Sequence, residues 1–202
     1  MKNSKLNYLK NLNKDQEIAC INLDGPCLIV AGAGSGKTKV LTTRVAHIIN
    51  EKKAWPNQIL CVTFTNKAAR EMQNRVSVHL NKKTSSVPWL GTFHSISAKI
   101  LRRHAEAVKL NSKFTIIDHD DQLRLIKNIC KAENIDVKKV APQFILSFIN
   151  LWKNAGLLPK NVKIKKTIPL ENAILKIYKI YQERLQILNS CDFGDLILHC
   201  VT

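Results

Sequence analysis

A chain of 202 residues, 45% of them hydrophobic, is long enough for one domain or one and a half, and no apolar run approaches the length of a membrane span. Thirty-two Lys and Arg against 15 Asp and Glu leave a net charge of +17, which suits a polyanion partner: DNA, RNA or an anionic membrane face. A Lys-, Asn- and Ile-rich composition bias would account for the lysines but not for the scarcity of acids. Six scattered cysteines lack metal-ligand spacing and mostly sit in apolar runs, so buried reduced thiols are expected rather than disulfides or zinc. Residues 1–5 are basic, but no apolar signal region follows them, so a cytoplasmic location is expected.

The first element is a short helix after Asn13, with Asn13 as cap and Gln16 placed to reach back to it, as in a capping box. Gln16 also lies just upstream of a Gly-rich loop, where its amide could read an adenine edge, and spacing alone does not separate the two roles. Cys27-Leu28-Ile29-Val30 is an apolar run of strand length. Behind it come Ala31, Gly32, Ala33, Gly34, Ser35, Gly36, Lys37 and Thr38, then a helical stripe of Val40, Leu41, Val45, Ile48 and Ile49. Strand, glycine loop, Gly-Lys-Thr and helix together make a phosphate site. The glycines let the backbone N–H groups turn inward as an anion nest at the positive end of a helix. Lys37 can then reach the β- and γ-phosphates, and the Thr38 hydroxyl can hold Mg²⁺. Nucleoside triphosphate binding is expected, with Lys37 and Thr38 the catalytic pair and Thr38 the metal ligand.

Trp55-Pro56 ends the helix. Residues 59–64 form a continuous apolar run, as in a strand buried on both faces of a parallel sheet, and a helix begins near Lys67. Phe64, Thr65, Asn66 and Lys67 therefore fall beyond the carboxyl end of a strand, where open α/β sheets bind ligands. An aromatic beside amide and ammonium donors suits a stacked base and a phosphate. The bland alternative makes Phe64 core and Thr65 or Asn66 a helix cap. Residues 87–92 read as another strand. Phe93, His94 and a helix to about Lys109 follow; His94 is a strand-end donor or a structural hydrogen-bonder. Residues 114–118 resemble a Walker B strand ending in Asp118, but His119 stands where an acidic partner belongs, and Asp118 equally makes a helix cap. From there to Asn189 the pattern is helical. Pro142 opens a helix with Phe144, Ile145, Phe148, Ile149 and Trp152 on one face. A basic linker covers residues 160–166, and Ile174, Leu175, Tyr178, Tyr181, Leu185 and Leu188 line a long amphipathic helix. Three good strands are fewer than the roughly five a phosphate-loop fold needs, so the sheet is expected to be incomplete.

Taken together, Asn13 with Gln16, the 31–38 loop, Phe64-Thr65-Asn66-Lys67-Ala68-Ala69 and Gly91-Thr92-Phe93-His94-Ser95 resemble successive N-terminal motifs of the UvrD/Rep-type superfamily 1 DNA helicases, in the same order and spacing. Ile117-Asp118 with Asp121-Gln122, Trp152-Lys153-Asn154, Tyr181-Gln182-Glu183-Arg184 and Asp192-Phe193-Gly194-Asp195-Leu196 look like further landmarks, with Gly194 where the usual pattern has a second Asp. The resemblance implies an α/β fold: the parallel sheet of a RecA-like P-loop NTPase, incomplete, carrying an inserted all-helical subdomain. Residues 1–110 would belong to the first RecA-like domain, 111–189 to the insertion, and 190–202 to the return before Walker B. It implies ATP and Mg²⁺ as cofactors, ATP-driven 3′-to-5′ unwinding, and single-stranded DNA and single-strand/duplex junctions as partners, with no membrane. By that match Gln16 reads adenine, and Phe64, Thr65, Asn66, Lys67, Thr92, Phe93 and His94 touch single-stranded DNA. Trp152 and Lys153 would lie near incoming duplex, and Asp118 is demoted to the entrance of the insertion. Walker B, a second RecA-like domain and its arginine finger would come from beyond residue 202.

Overall fold

The computed structural model describes residues 8–80, 87–135, 140–164 and 169–202. They fall into two compact units, Met1–Ile96 and Ser97–Thr202.

The first unit contains α1 (Lys14–Ile21), α2 (Lys37–Asn50), β1 (Leu60–Thr63), α3 (Asn66–His79), β2 (Trp89–Thr92) and the start of α4 (Phe93–Arg103). β1 and β2 pair in parallel, Leu60 opposite Trp89 and Thr63 opposite Thr92. Two parallel strands cannot be joined by a tight turn, and α3 supplies the crossover. Val45 and Ala46 of α2, Cys61 of β1, Ala69, Met72 and Val76 of α3, and Leu90 of β2 bury together as the core of this unit. Because Thr63 and Thr92 are in register, both strands end at one edge, and the residues that follow them leave the sheet side by side.

Residues 27–30 differ from expectation. Among the described residues no strand pairs with them, and Leu28 and Val30 are 88% and 87% exposed. A strand of a parallel sheet becomes a strand by having ladder partners and covered faces, and this run has neither here. Cys27 is consequently exposed and Cys200 half-buried, while Cys20, Cys61, Cys130 and Cys191 are buried as expected; all six are free thiols.

The second unit is mostly helical. β3 (Thr115–Ile116) precedes α5 (His119–Ala132), α6 (Pro142–Asn154) and α7 (Pro169–Ile187); β4 (Ser190–Cys191) and α8 (Phe193–Val201) close it. Pro142 occupies the first turn of α6, where its missing N–H has no intrahelical partner to lose. Ile126, Ile129, Ile145, Leu146, Ile149, Ile174, Ile177, Tyr178, Tyr181 and Leu185 interdigitate as the core between α5, α6 and α7. β3 pairs in parallel with β4 in a separate two-stranded sheet, so residues 114–118 do not extend the β1–β2 ladder. α4 stops at Arg103, short of Lys109: a 3₁₀ turn, Ala105–Val108, follows and ends on Lys109 at φ 59°. The expected linker over residues 160–166 overlaps another 3₁₀ turn, Pro159–Asn161, and its residues 165 and 166 lie outside the described residues.

The boundary between the compact units falls inside α4. Residues 190–202 cluster with the second unit because β4 is hydrogen-bonded to β3 and α8 packs on α6. Among the described residues no helix is long and apolar enough to cross a membrane.

Candidate nucleotide and nucleic-acid site

The Asn13 carboxamide accepts the Gln16 N–H at 2.9 Å, and Gln16 Oε1 accepts the Asn13 N–H at 3.1 Å, completing the capping box of α1. The same Gln16 amide donates from Nε2 to the Ser35 carbonyl at 2.9 Å. The cap reading of Gln16 is thus fulfilled, and the side chain also lies against the glycine loop.

The loop itself is exposed throughout residues 31–35. It turns through Gly34 at φ 76° and Gly36 at φ 87°, a region that costs a side-chain-bearing residue steric strain. Gly36 caps α2 without any side-chain hydrogen bond, so no side chain competes for the first N–H groups of that helix. Lys37 is exposed and folds back over the loop, its ammonium donating to the Ala31 and Gly32 carbonyls at 2.5 Å each. The Ser35 hydroxyl shares the Gly32 carbonyl at 2.7 Å. Thr38 is exposed in the first turn of α2. These residues fit a nucleotide phosphate chain. Among the described residues the lysine is held by two neutral carbonyls of exposed residues, contacts that a phosphate can replace with an ion pair. Among the described residues no cluster of three His, Cys, Asp or Glu side chains forms a metal site; the Thr38 hydroxyl is the group that would meet Mg²⁺.

At the common end of β1 and β2, Phe64 is 90% exposed, which removes the core reading of this residue. Its ring meets that of Phe93, also exposed, at 5.5 Å between centroids. Thr65 does cap: its hydroxyl accepts the Ala68 N–H at 3.2 Å to start α3. Asn66 and Lys67 are exposed in the first turn behind it. Thr92 is buried and exchanges hydrogen bonds with Ser95, giving its N–H to Ser95 Oγ at 2.9 Å and accepting the Ser95 N–H at 3.2 Å, which fixes the turn into α4. His94 is exposed in that turn. The strand edge thus brings together Phe64, Asn66, Lys67, Phe93 and His94 as accessible groups; Thr65 and Thr92 shape the backbone beneath them.

Lys153 contradicts the expectation of a DNA contact. Its side chain is wholly buried, with the ammonium 2.7 Å from Asp192 Oδ2 and 2.7 Å from Asp195 Oδ1. Tyr181 OH donates to Asp192 Oδ2 at 2.9 Å, and Gln182 Nε2 donates to Asp195 Oδ1 at 3.1 Å. Asp192 Oδ1 also accepts the Asp195 N–H at 2.9 Å in the capping box of α8. Trp152 is half-buried and stacks on Tyr178, 5.8 Å between centroids. Burial alone would raise the Asp192 pKa, but the Lys153 charge and the hydrogen bonds to its carboxylate outweigh it and hold the group below the usual carboxylate range. Burial pushes the neighbouring Cys191 thiol up to about 12 and lowers the pKa of His199. Gly194 accounts for its own identity: a Cβ there would meet Lys153 Cδ at 3.0 Å and Asp192 Oδ1 at 3.3 Å. This buried cluster was not expected, although Lys153 follows Ile145 and Ile149 at four-residue steps along the apolar stripe of α6, which marks it for the interior.

Asp118 is the N-cap of α5, its carboxylate accepting the Asp121 N–H at 2.9 Å. The cap alternative, not the Walker B alternative, describes it.

A family model described as the UvrD/REP helicase N-terminal domain matches residues 12–202. The chain belongs to the UvrD/REP helicase family. It is 48% identical over 195 residues to the probable DNA helicase II homolog of Rickettsia conorii, a match covering 95% of this chain and 29% of that protein. It is 49% identical over 197 residues to DNA helicase II of Rickettsia typhi, covering 96% and 30%. It is 42% identical over 190 residues to ATP-dependent DNA helicase PcrA of Staphylococcus aureus, covering 94% and 26%. The chain thus spans less than a third of the length of these relatives. Membership of the UvrD/REP family implies a P-loop NTPase fold, and the mixed helices and small parallel sheets agree with that class.

Proposed function

We propose that this chain is the ATP- and DNA-binding N-terminal part of an ATP-dependent 3′-to-5′ DNA helicase. The observation that carries the reading is the pairing of two accessible features in one compact unit: a glycine loop with an exposed lysine, and a strand edge with an exposed pair of phenylalanines. The names of its relatives, DNA helicase II and PcrA, support it. Residues 1–110 are assigned to the first RecA-like domain, 111–189 to a helical insertion, and 190–202 to the return from it.

In this reading the Gln16 amide holds the adenine edge, the N–H groups of residues 31–38 surround the phosphates, and Lys37 neutralises the β- and γ-phosphate oxygens. The Thr38 hydroxyl would hold Mg²⁺ beside the phosphates. Bound ATP·Mg²⁺ would supply the γ-phosphoryl group whose transfer to water drives the motor. Phe64 and Phe93 offer ring faces to the bases of single-stranded DNA, while Asn66, Lys67 and His94 meet its backbone.

A second reading keeps both ligands but no turnover: a nucleotide- and DNA-binding module that hydrolyses nothing by itself. The capping role of Asp118 favours it for the isolated chain, since that carboxylate already serves α5. Loss of arginine-finger stabilisation alone costs roughly 10³–10⁵ in rate. These 202 residues are therefore expected to bind ATP and single-stranded DNA without useful hydrolysis.

Fluorescence anisotropy with a labelled oligonucleotide across a salt series tests the DNA half. With about four phosphates neutralised, log K falls against log salt with a slope near −3, at roughly −0.7 per phosphate. A flat response would overturn it. Steady-state ATPase with and without DNA separates the two readings, and DNA-stimulated turnover abolished by Lys37→Ala would remove the second.

A further inference from the structure

We infer that Gln16 is a positioning residue for the phosphate half of the nucleotide site, and not only a reader of the base; the inference rests on the nucleotide site proposed above. A carboxamide has four hydrogen-bonding positions, two lone pairs on oxygen and two N–H groups. Gln16 uses one of each within the protein, accepting from the Asn13 N–H at 3.1 Å and donating to the Ser35 carbonyl at 2.9 Å. One lone pair and one N–H remain, the complement that a bidentate adenine contact needs. The side chain therefore does not have to release the loop in order to meet a base.

The contact with Ser35 has a geometric consequence. The peptide between Ser35 and Gly36 is planar and trans, so a carbonyl fixed toward Gln16 sends the Gly36 N–H to the opposite side. Gly36 is the left-handed residue that caps α2, immediately before Lys37. Fixing this peptide plane fixes the direction of one loop N–H and the start of the helix that carries Lys37 and Thr38. The amide also lies flush on that turn: a Cβ at Gly36 would stand 2.9 Å from Gln16 Nε2. Ser35 is exposed and Gly36 half-buried; the Ser35 N–H and hydroxyl, 3.4 and 2.7 Å from the Gly32 carbonyl, hold the residue from one side, and the Gln16 amide is the side chain that meets its own carbonyl. The bond from Gln16 braces the loop in the orientation that anion binding requires, before any nucleotide arrives.

A ligand with phosphates and no base isolates this role. Binding of inorganic tripolyphosphate with Mg²⁺, and of ATP with Mg²⁺, is measured by calorimetry on the wild-type chain and on Gln16→Met, Gln16→Glu and Asn13→Ala. Gln16→Met keeps the length of the side chain and removes both hydrogen bonds. Gln16→Glu keeps the acceptor for the Asn13 N–H, and with it the helix cap, but cannot donate to Ser35. Asn13→Ala removes the cap acceptor and leaves the brace. Loss of one such bond is expected to weaken tripolyphosphate binding about three- to tenfold in Gln16→Met. Gln16→Glu is expected to lose at least as much, and Asn13→Ala to stay at the wild-type value. Circular dichroism confirms that each variant is folded. If Gln16→Met loses ATP affinity while tripolyphosphate binding is unchanged, Gln16 reads the base only; this inference falls and the site assignment stands. An equal loss in Asn13→Ala would assign the effect to the cap of α1 and also overturn it. If the wild type binds neither ligand, the nucleotide site and this inference fall together.

Discussion

Two lysines of this chain stand next to residues that suggest anion binding, and they meet opposite fates. Lys37 is exposed and rests on two neutral carbonyls of its own loop. Lys153 is buried between two carboxylates, with Tyr181 and Gln182 completing the polar shell. A charge held by carbonyls at the surface can exchange those contacts for a ligand at little cost. A charge taken out of water has to be paired where it lies, and stripping its partners leaves a penalty of several kcal/mol. The side chain alone does not separate a binding lysine from a structural one; burial and the sign of its partners do.

The largest effect is expected from Lys153→Ala. It would leave Asp192 and Asp195 buried without a counter-charge, and the expected cost is about 3–5 kcal/mol of stability in urea unfolding. Trp152, stacked on Tyr178, is a local fluorescence reporter of that unit. Lys37→Ala should leave the urea midpoint almost unchanged. A wild-type-like midpoint for Lys153→Ala would mean that the buried cluster contributes little.

At the strand edge, Phe64→Ala should cost single-stranded DNA binding about 1–3 kcal/mol if a base stacks there. Because Phe64 is so exposed, the same change should hardly alter stability. A loss of stability without a loss of DNA affinity would return Phe64 to a packing role.

Acid should act on the helical unit through two groups. The Asp192 pKa is depressed in the folded state, so its stabilisation is present above the ordinary carboxylate range and is lost as pH falls through the folded value. The His199 pKa is also lowered, by burial, despite Asp195 3.8 Å away. The unfolded chain therefore takes up that proton first, and stability begins to fall below about pH 6.5, the ordinary histidine value. Unfolding followed by Trp152 fluorescence between pH 8 and 3 should show both stages, and His199→Gln should remove the upper one. Stability that rises on acidification would contradict both assignments.

The smallest expected effect is at the first helix. Asn13→Ala removes the side-chain cap of α1 and should cost about 0.5–2 kcal/mol by thermal unfolding.

What was legible in the sequence followed from local rules. The Asn13–Gln16 capping box, the proline start of α6, and the two strand-to-helix passages near residues 59–67 and 87–94 each depend on a few adjacent residues. What was not legible depends on distant partners. Residues 27–30 have the composition of a strand, but a strand also needs a neighbour to pair with, and composition carries no information about that. Asp118 looks alike as a metal ligand and as a cap until its acceptor contact with Asp121 is known. Lys153 was misplaced because it lies next to Trp152 in a motif associated with DNA. The apolar stripe of α6 pointed inward, but only the two aspartates, 39 and 42 positions later in the chain, make an interior lysine tolerable.

Lys37 is a ligand contact rather than a structural one in the function proposed for this chain. Titrating a fluorescent ATP analogue with Mg²⁺ into the wild-type chain and into Lys37→Ala measures this alone. Binding to the wild type should be saturable and weakened about tenfold or more in the variant, as removal of a charge-assisted contact worth roughly 1.5–3 kcal/mol requires. Equal affinity of the two proteins for the analogue would contradict that role of Lys37.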